Sequence, residues 1–119
     1  MPTVELTKDN FEEVTSQGTV LIDFWADWCG PCRRFAPVYE QASEANPDVV
    51  FGKVDTEAEP ELAASFGIQS IPTLVAFRDG IGVFMQPGAL PGEVLQRLVD
   101  QIEALDMDEV RLQVAAHSH

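Results

Sequence analysis

The sequence predicts a three-layer α/β sandwich, in which helices cover both faces of a central sheet. Strand-like and helical segments alternate along most of the chain. Strands joined by helical crossovers run parallel, so the first strands should pair in that way. Residues 73–77 and 82–85 then form a predicted hairpin around Arg78-Asp79-Gly80, which adds an antiparallel edge. A chain of 119 residues is long enough for one domain with its own core.

The first elements are a short strand over residues 4–6 and a helix over residues 7–16, with Thr7 as its N-cap. Residues 19–26 (TVLIDFWA) form the next strand. Its nearly continuous apolar run of strand formers is typical of a central strand covered on both faces. Asp23 is the exception within that run, which predicts a buried carboxylate.

The later elements follow the same alternation. A helix over residues 31–45 has a buried face at the 3–4 spacing of Phe35, Val38, Tyr39 and Ala42. Residues 49–55 form a strand, and a short helix begins near Pro60, which suits a first helical turn. The last long helix covers residues 91–105.

Both cysteines lie in the stretch Trp28-Cys29-Gly30-Pro31-Cys32, directly after the apolar strand. Positions i and i+3 are neighbours on a helix, and a tightened first turn brings such a pair within reach of a disulfide. The pair can therefore be a bridge or two free thiols, as a redox catalyst requires. Gly30 allows another backbone to approach closely, and Pro31 is tolerated because its missing N–H would be unpaired there.

Composition argues against several other functions. The net charge of −13 disfavours binding to nucleic acids and anionic membranes. No stretch approaches the ~20 apolar residues of a membrane span, and the N-terminus lacks the pattern of a signal peptide. We therefore expect a cytoplasmic protein. In that compartment a Cys-x-x-Cys pair is more often catalytic or metal-binding than a structural bridge. We also expect the protein to be a monomer. Zinc takes about four ligands, and with only His117 and His119 to add to the cysteines, no metal site is expected.

Four motifs together resemble the thioredoxin family over about residues 4–105: Asp23-Phe24-Trp25-Ala26, Trp28-Cys29-Gly30-Pro31-Cys32, Ile71-Pro72-Thr73 and Gly88-Ala89. The resemblance implies a thioredoxin fold, with a mixed five-stranded sheet flanked by four helices, in residues 1–105. Residues 106–119 would be a C-terminal extension, either a short helix or a frayed tail.

The resemblance also implies a protein-disulfide reductase. Cys29 would be the exposed nucleophile and Cys32 the buried resolving thiol. Its substrates would be proteins with disulfides, and an NADPH- and flavin-dependent thioredoxin reductase would supply the electrons, so this chain would need no cofactor. A buried carboxylate has a raised pKa, and Asp23 could then be the general base for Cys32. Lys53, on the neighbouring strand, could pair with Asp23 and moderate its pKa.

The docking face around Cys29 is expected from the resemblance as well. The Ile71–Pro72 peptide bond would be cis and would set an extended backbone beside Cys29, ready to pair with a substrate strand. The apolar patch would comprise Trp28, Gly30, Pro31, Ile71, Gly88 and Ala89. Arg33 and Arg34 follow the motif; we interpret them as solvated, with tuning of Cys29 or contact with a partner as the alternative.

Three departures and two alternatives remain open. Pro87 puts pairing at the hairpin edge in doubt, the acidity is high for the family, and the C-terminal extension has no assigned role. The protein could instead be a dedicated thiol oxidase or isomerase with few partners. It could also be a non-enzymatic binding module. Gly-Pro between the cysteines favours a reductant, because oxidising relatives carry a histidine there.

Overall fold

The strands and helices follow the predicted order in a computed structural model that describes residues 2–117. Met1, Ser118 and His119 lie outside the described residues. The elements are β1 Thr3–Glu5, α1 Phe11–Thr15, β2 Thr19–Trp25, α2 Gly30–Ala45, β3 Val50–Asp55, α3 Pro60–Ser65, β4 Thr73–Arg78, β5 Ile81–Pro87, α4 Gly92–Glu103 and α5 Met107–His117.

The sheet has the strand order β1-β3-β2-β4-β5. β3 pairs in parallel with both β1 and β2, whereas β4 pairs antiparallel with β2 and with β5. β2 is the middle strand and is buried along nearly its whole length. The mixed sheet with an antiparallel hairpin edge is therefore confirmed, and the apolar run over residues 19–26 is its central strand.

The two faces of β2 contribute to two separate cores, because side chains alternate across a strand. Leu21 belongs to the core that includes Phe35 and Tyr39 of α2. Ile22 and Phe24 belong to the core on the opposite face. Asp23 alternates with Ile22 and Phe24, so its carboxylate lies on the α2 side of the sheet.

The first helix starts later than predicted. α1 has only five residues, and Asn10 rather than Thr7 occupies its N-cap position. The Asn10 side chain accepts the N–H of Thr7 at 2.7 Å and donates to the carbonyl of Glu5 at 3.0 Å. These bonds hold residues 7–10 in a turn, because a side-chain amide that bonds to nearby backbone competes with the helix.

The C-terminal extension forms helix α5 over the part of it that the structure describes. Met107 is buried at its start. Arg111 lies 3.9 Å from Asp79 in the β4–β5 turn and 3.1 Å from Asp108, whereas Leu112 is exposed. Among residues 2–117, no helix has the length and apolar character needed to cross a membrane.

Candidate active site

The two cysteines lie where β2 gives way to α2, and their sulfur atoms are bonded to each other. Cys29 is the N-cap residue of α2 with an extended backbone, and Cys32 lies in the first turn. Their Cα atoms are 5.2 Å apart, and a disulfide joins the two Sγ atoms. The helix start therefore brings the Cys-x-x-Cys pair within bonding distance, as the sequence predicted.

Two backbone groups approach the sulfur of Cys29. The N–H of Cys32 donates to Cys29 Sγ at 3.2 Å, and the carbonyl oxygen of Ile71 lies 3.7 Å from the same sulfur. A thiolate at a helix N-terminus is stabilised by the helix dipole and by N–H donors. A thiolate on Cys29 would therefore be stabilised by a hydrogen bond that the backbone of Cys32 already provides.

The expected contrast between an exposed Cys29 and a buried Cys32 is absent in the disulfide form. Cys29 is 4% exposed and Cys32 is 3% exposed. The reason is local packing, since the side chains of Trp25 and Ile71 lie against the cluster formed by the cysteines and Ala26. The position of Cys29 as helix cap, rather than its exposure, distinguishes it from Cys32.

The loop before β4 forms the second wall of the site. The Ile71–Pro72 peptide bond is cis, as the resemblance implied. The N–H of Gly88 donates to the carbonyl of Pro72 at 2.7 Å, which ties the end of β5 to this loop. Pro87 pairs in register with Thr73. A proline is tolerated on an edge strand, so the hairpin keeps its pairing at this position.

Four of the predicted docking residues line two grooves, each of about 300 Å³, whereas Gly30, Pro72 and Gly88 line neither of them. Trp28, with 68% of its surface exposed, and Ile71 line the first groove. We call it the Trp28 groove; its other lining residues are Thr56, Ala63, Ile68, Gln69 and Ser70. Pro31 and Ala89 line the second, which we call the Arg34 groove; its other lining residues are Arg34, Phe35, Val38, Leu90 and Pro91.

The carboxylate of Asp23 is buried without a hydrogen-bond partner. Its residue is 1% exposed, and neither oxygen has a partner among the described residues. Burial raises the pKa of Asp23 from 3.8 to about 7, against an opposing effect of the positive charge on Lys53.

A second titratable group, Tyr39, is buried on the same side of the sheet, and its hydroxyl donates to the carbonyl of Gly52 at 2.7 Å. Burial, and then the charge of Asp23, hold the pKa of Tyr39 well above its ordinary value.

Lys53 acts on Asp23 through space rather than through a contact. The two residues are register partners on β2 and β3. The ammonium nitrogen of Lys53 lies over the ring of Trp25, 4.8 Å from its centroid, in a cation–π arrangement. The predicted moderation of the Asp23 pKa is thus electrostatic, without an ion pair between the side chains.

Arg34 is exposed, and its guanidinium lies beside Gly30 of the Cys-x-x-Cys turn. A Cβ atom built on Gly30 would be only 3.4 Å from Nη1 of Arg34, so the guanidinium lies against the Cys-x-x-Cys turn. Residues at i and i+4 share a helix face. That spacing was the signal in the sequence that could have placed Arg34 beside Gly30.

Comparisons with known proteins agree with this geometry. A family model described as Thioredoxin matches residues 2–101. The chain is 65% identical over 114 residues to a Streptomyces coelicolor protein named "Putative thioredoxin 2", covering 95% of this chain and 85% of that protein. It is 42% identical over 102 residues to the thioredoxin of Bacillus subtilis, covering 85% of this chain and 98% of the relative.

Solved structures show the same fold. A point mutant of the thioredoxin from Halobacterium salinarum matches with a TM-score of 0.81 at 34% identity, covering 87% of this chain and 92% of that one. The thioredoxin of Malassezia sympodialis matches with a TM-score of 0.78 at 37% identity, covering 87% of this chain and 96% of that one. With its disulfide-forming pair at the start of α2, this chain belongs to the thioredoxin family of protein-disulfide oxidoreductases.

Proposed function

We propose that the protein reduces disulfides in other proteins, with Cys29 as the attacking nucleophile and Cys32 as the resolving thiol. The observation that carries this assignment is the N–H of Cys32 donating to Cys29 Sγ at 3.2 Å, at the N-terminus of α2. A hydrogen bond to the charged form of a group lowers its pKa. The thiolate needed for attack therefore forms more readily at Cys29.

The reaction is two successive exchanges. The Cys29 thiolate attacks one substrate sulfur, a mixed disulfide forms, and the other substrate sulfur leaves as a thiolate. The Cys32 thiolate then attacks Cys29 Sγ, which restores the Cys29–Cys32 bridge and releases the second substrate thiolate. Two electrons pass from the dithiol to the substrate, and the protein ends in the disulfide form.

Asp23 is proposed as the general base that takes the proton from Cys32 in the second exchange. A base works best when its pKa is near the operating pH, and burial raises the pKa of Asp23 to about 7. The charge of Lys53 keeps that value from rising further.

In Asp23→Asn, release of product from the mixed disulfide should be slower and should lose its pH dependence near pH 7. Unchanged release kinetics would remove Asp23 from the mechanism.

Substrates are proposed to dock on the apolar surface around the disulfide, formed by Trp28, Gly30, Pro31, Ile71, Pro72, Gly88 and Ala89. An extended substrate segment would lie along Ser70 and Ile71. Exposed Trp28 gives this face a large apolar anchor, and aromatic residues are enriched at such contact surfaces.

The remaining assignments follow from family membership. Disulfide-containing proteins would be the substrates, and an NADPH- and flavin-dependent thioredoxin reductase would regenerate the dithiol. The protein would act as a cytoplasmic monomer with no cofactor of its own.

Trapping separates the two cysteine roles. Incubated with a protein disulfide such as insulin, Cys32→Ser should accumulate a mixed disulfide through Cys29, whereas Cys29→Ser should accumulate none. Trapping by Cys29→Ser alone would reverse the assignment.

The direction of the reaction is tested by measuring the reduction potential of the Cys29–Cys32 pair in thiol buffers, with tryptophan fluorescence as the readout. A potential clearly below the glutathione poise is expected for a reductant; one above it would favour an oxidase or isomerase.

A further inference from the structure

The guanidinium of Arg34 has no partner within the described chain. Arg34 is exposed, and its side chain takes part in none of the side-chain hydrogen bonds or ion pairs found among residues 2–117. It lines the Arg34 groove together with Pro31 and Ala89. Its guanidinium lies against Gly30, between the two cysteines in sequence.

Several other cations are already engaged. Arg111 pairs with Asp79 and Asp108, Arg78 donates to backbone carbonyls at the end of α4, and Lys53 lies over Trp25. The chain has 20 acidic residues and 7 basic ones, yet no described carboxylate pairs with Arg34. The guanidinium is a planar donor beside Gly30 with no partner among the described residues, so it is suited to bind a carboxylate of another molecule.

We propose that the Arg34 groove receives a substrate segment that carries an aspartate or glutamate close to the attacked cysteine. This inference rests on the proposed reductase function and names a class of substrate for it. The groove walls are apolar except for the guanidinium. The apolar walls contact the backbone and the aliphatic carbons of the substrate segment, while Arg34 binds its carboxylate.

The negative charge of the whole protein does not cancel this local preference. Charges more than about 10 Å apart are largely screened at 0.1 M salt, whereas a carboxylate in contact with Arg34 is not. The Trp28 groove is lined by no charged residue. The preference should therefore be one-sided, acting on an acidic residue on one flank of the substrate cysteine and not on the other.

Matched peptides test this prediction. Each carries one cysteine, joined by a disulfide to a neutral thiol, with glutamate or glutamine placed either before or after the cysteine. The rate constant for reduction by the dithiol protein is divided by that for dithiothreitol. This correction removes the effect of the glutamate on the reactivity of the peptide disulfide. The readout is the glutamate-to-glutamine ratio for each placement.

The wild-type protein should prefer glutamate by about two- to fivefold in one placement, the range of an exposed ion pair. In Arg34→Gln this ratio should fall to about one. Arg33→Gln is the matched control: it removes the same charge from the adjacent exposed position and should keep the preference.

Three results would overturn the inference: equal rates for glutamate and glutamine in both placements, a preference retained in Arg34→Gln, or an equal loss in Arg33→Gln, which would indicate a long-range field. In each of these results the wild-type protein still reduces the glutamine peptides, and the ratio cancels any change in the overall rate of Arg34→Gln. Failure of the wild-type protein to reduce any peptide would instead refute the reductase function on which the inference rests.

Discussion

Replacing Asp23 with asparagine should stabilise the folded protein above neutral pH. The wild-type carboxylate is charged there, is 1% exposed and has no hydrogen-bond partner among the described residues. A buried charge without a partner costs free energy. Asparagine has nearly the same shape and carries no charge, so the substitution removes that cost with little change in packing.

The magnitude follows from the two pKa values of the carboxyl. It titrates near 3.8 in the unfolded chain and near 7 in the folded protein. Between these values the folded state keeps a proton that the unfolded state has released. Stability therefore falls as the pH rises through this window, and the loss is complete above pH 7. At 1.36 kcal/mol for each unit, the difference amounts to about 4 kcal/mol.

Urea unfolding of the disulfide form measures this effect. Free energies of unfolding are compared for wild type and Asp23→Asn at about pH 4 and about pH 8.5. The advantage of the variant should grow by about 3–4 kcal/mol between them. Taking the difference between the two proteins cancels the titration of the other carboxylates. Asp48→Asn, at an exposed position, is the control and should show no such growth.

A constant difference between wild type and Asp23→Asn at the two pH values would refute the reasoning. It would mean that the Asp23 carboxylate titrates alike in the folded and unfolded states. Growth of the same size in Asp48→Asn would also refute it, because the effect would then be one of net charge rather than of burial.

Two further substitutions test the surroundings of Asp23 and the packing of β3. Lys53→Met should raise the pKa of Asp23 above about 7, since the ammonium charge lowers it; a carboxyl-carbon NMR titration measures this shift, and an unchanged or lower value would contradict it. Gly52→Ala should destabilise the protein by about 1–3 kcal/mol, because the new Cβ would lie 2.5 Å from Cδ1 of the fully buried Leu6. An unchanged urea midpoint would show that Leu6 has room to move.

The central strand and the cysteine pair could be predicted because their signals are local. A continuous apolar run indicates a strand covered on both faces, and one carboxylate within it, Asp23, had to be buried. The start of α2 was predictable for a similar reason, since Pro31 is tolerated in a first helical turn, where its missing N–H would be unpaired.

Features that depend on which of several partners a side chain selects could not be predicted. Thr7 and Asn10 are both good helix caps, and the bonds of the Asn10 side chain to the backbone of Glu5 and Thr7 favour the later start. Lys53 could face a carboxylate or an aromatic ring, and the structure places it over the ring. The burial of Cys29 depends on Ile71, which is distant in sequence.

The wall that covers the cysteines follows them in the chain. Ile71 follows Cys29 by 42 residues, and its side chain packs against the cysteine cluster. The cover over the disulfide therefore forms only when the loop before β4 folds against the start of α2. Local opening of that loop would uncover the Cys29 sulfur while α2 stays folded.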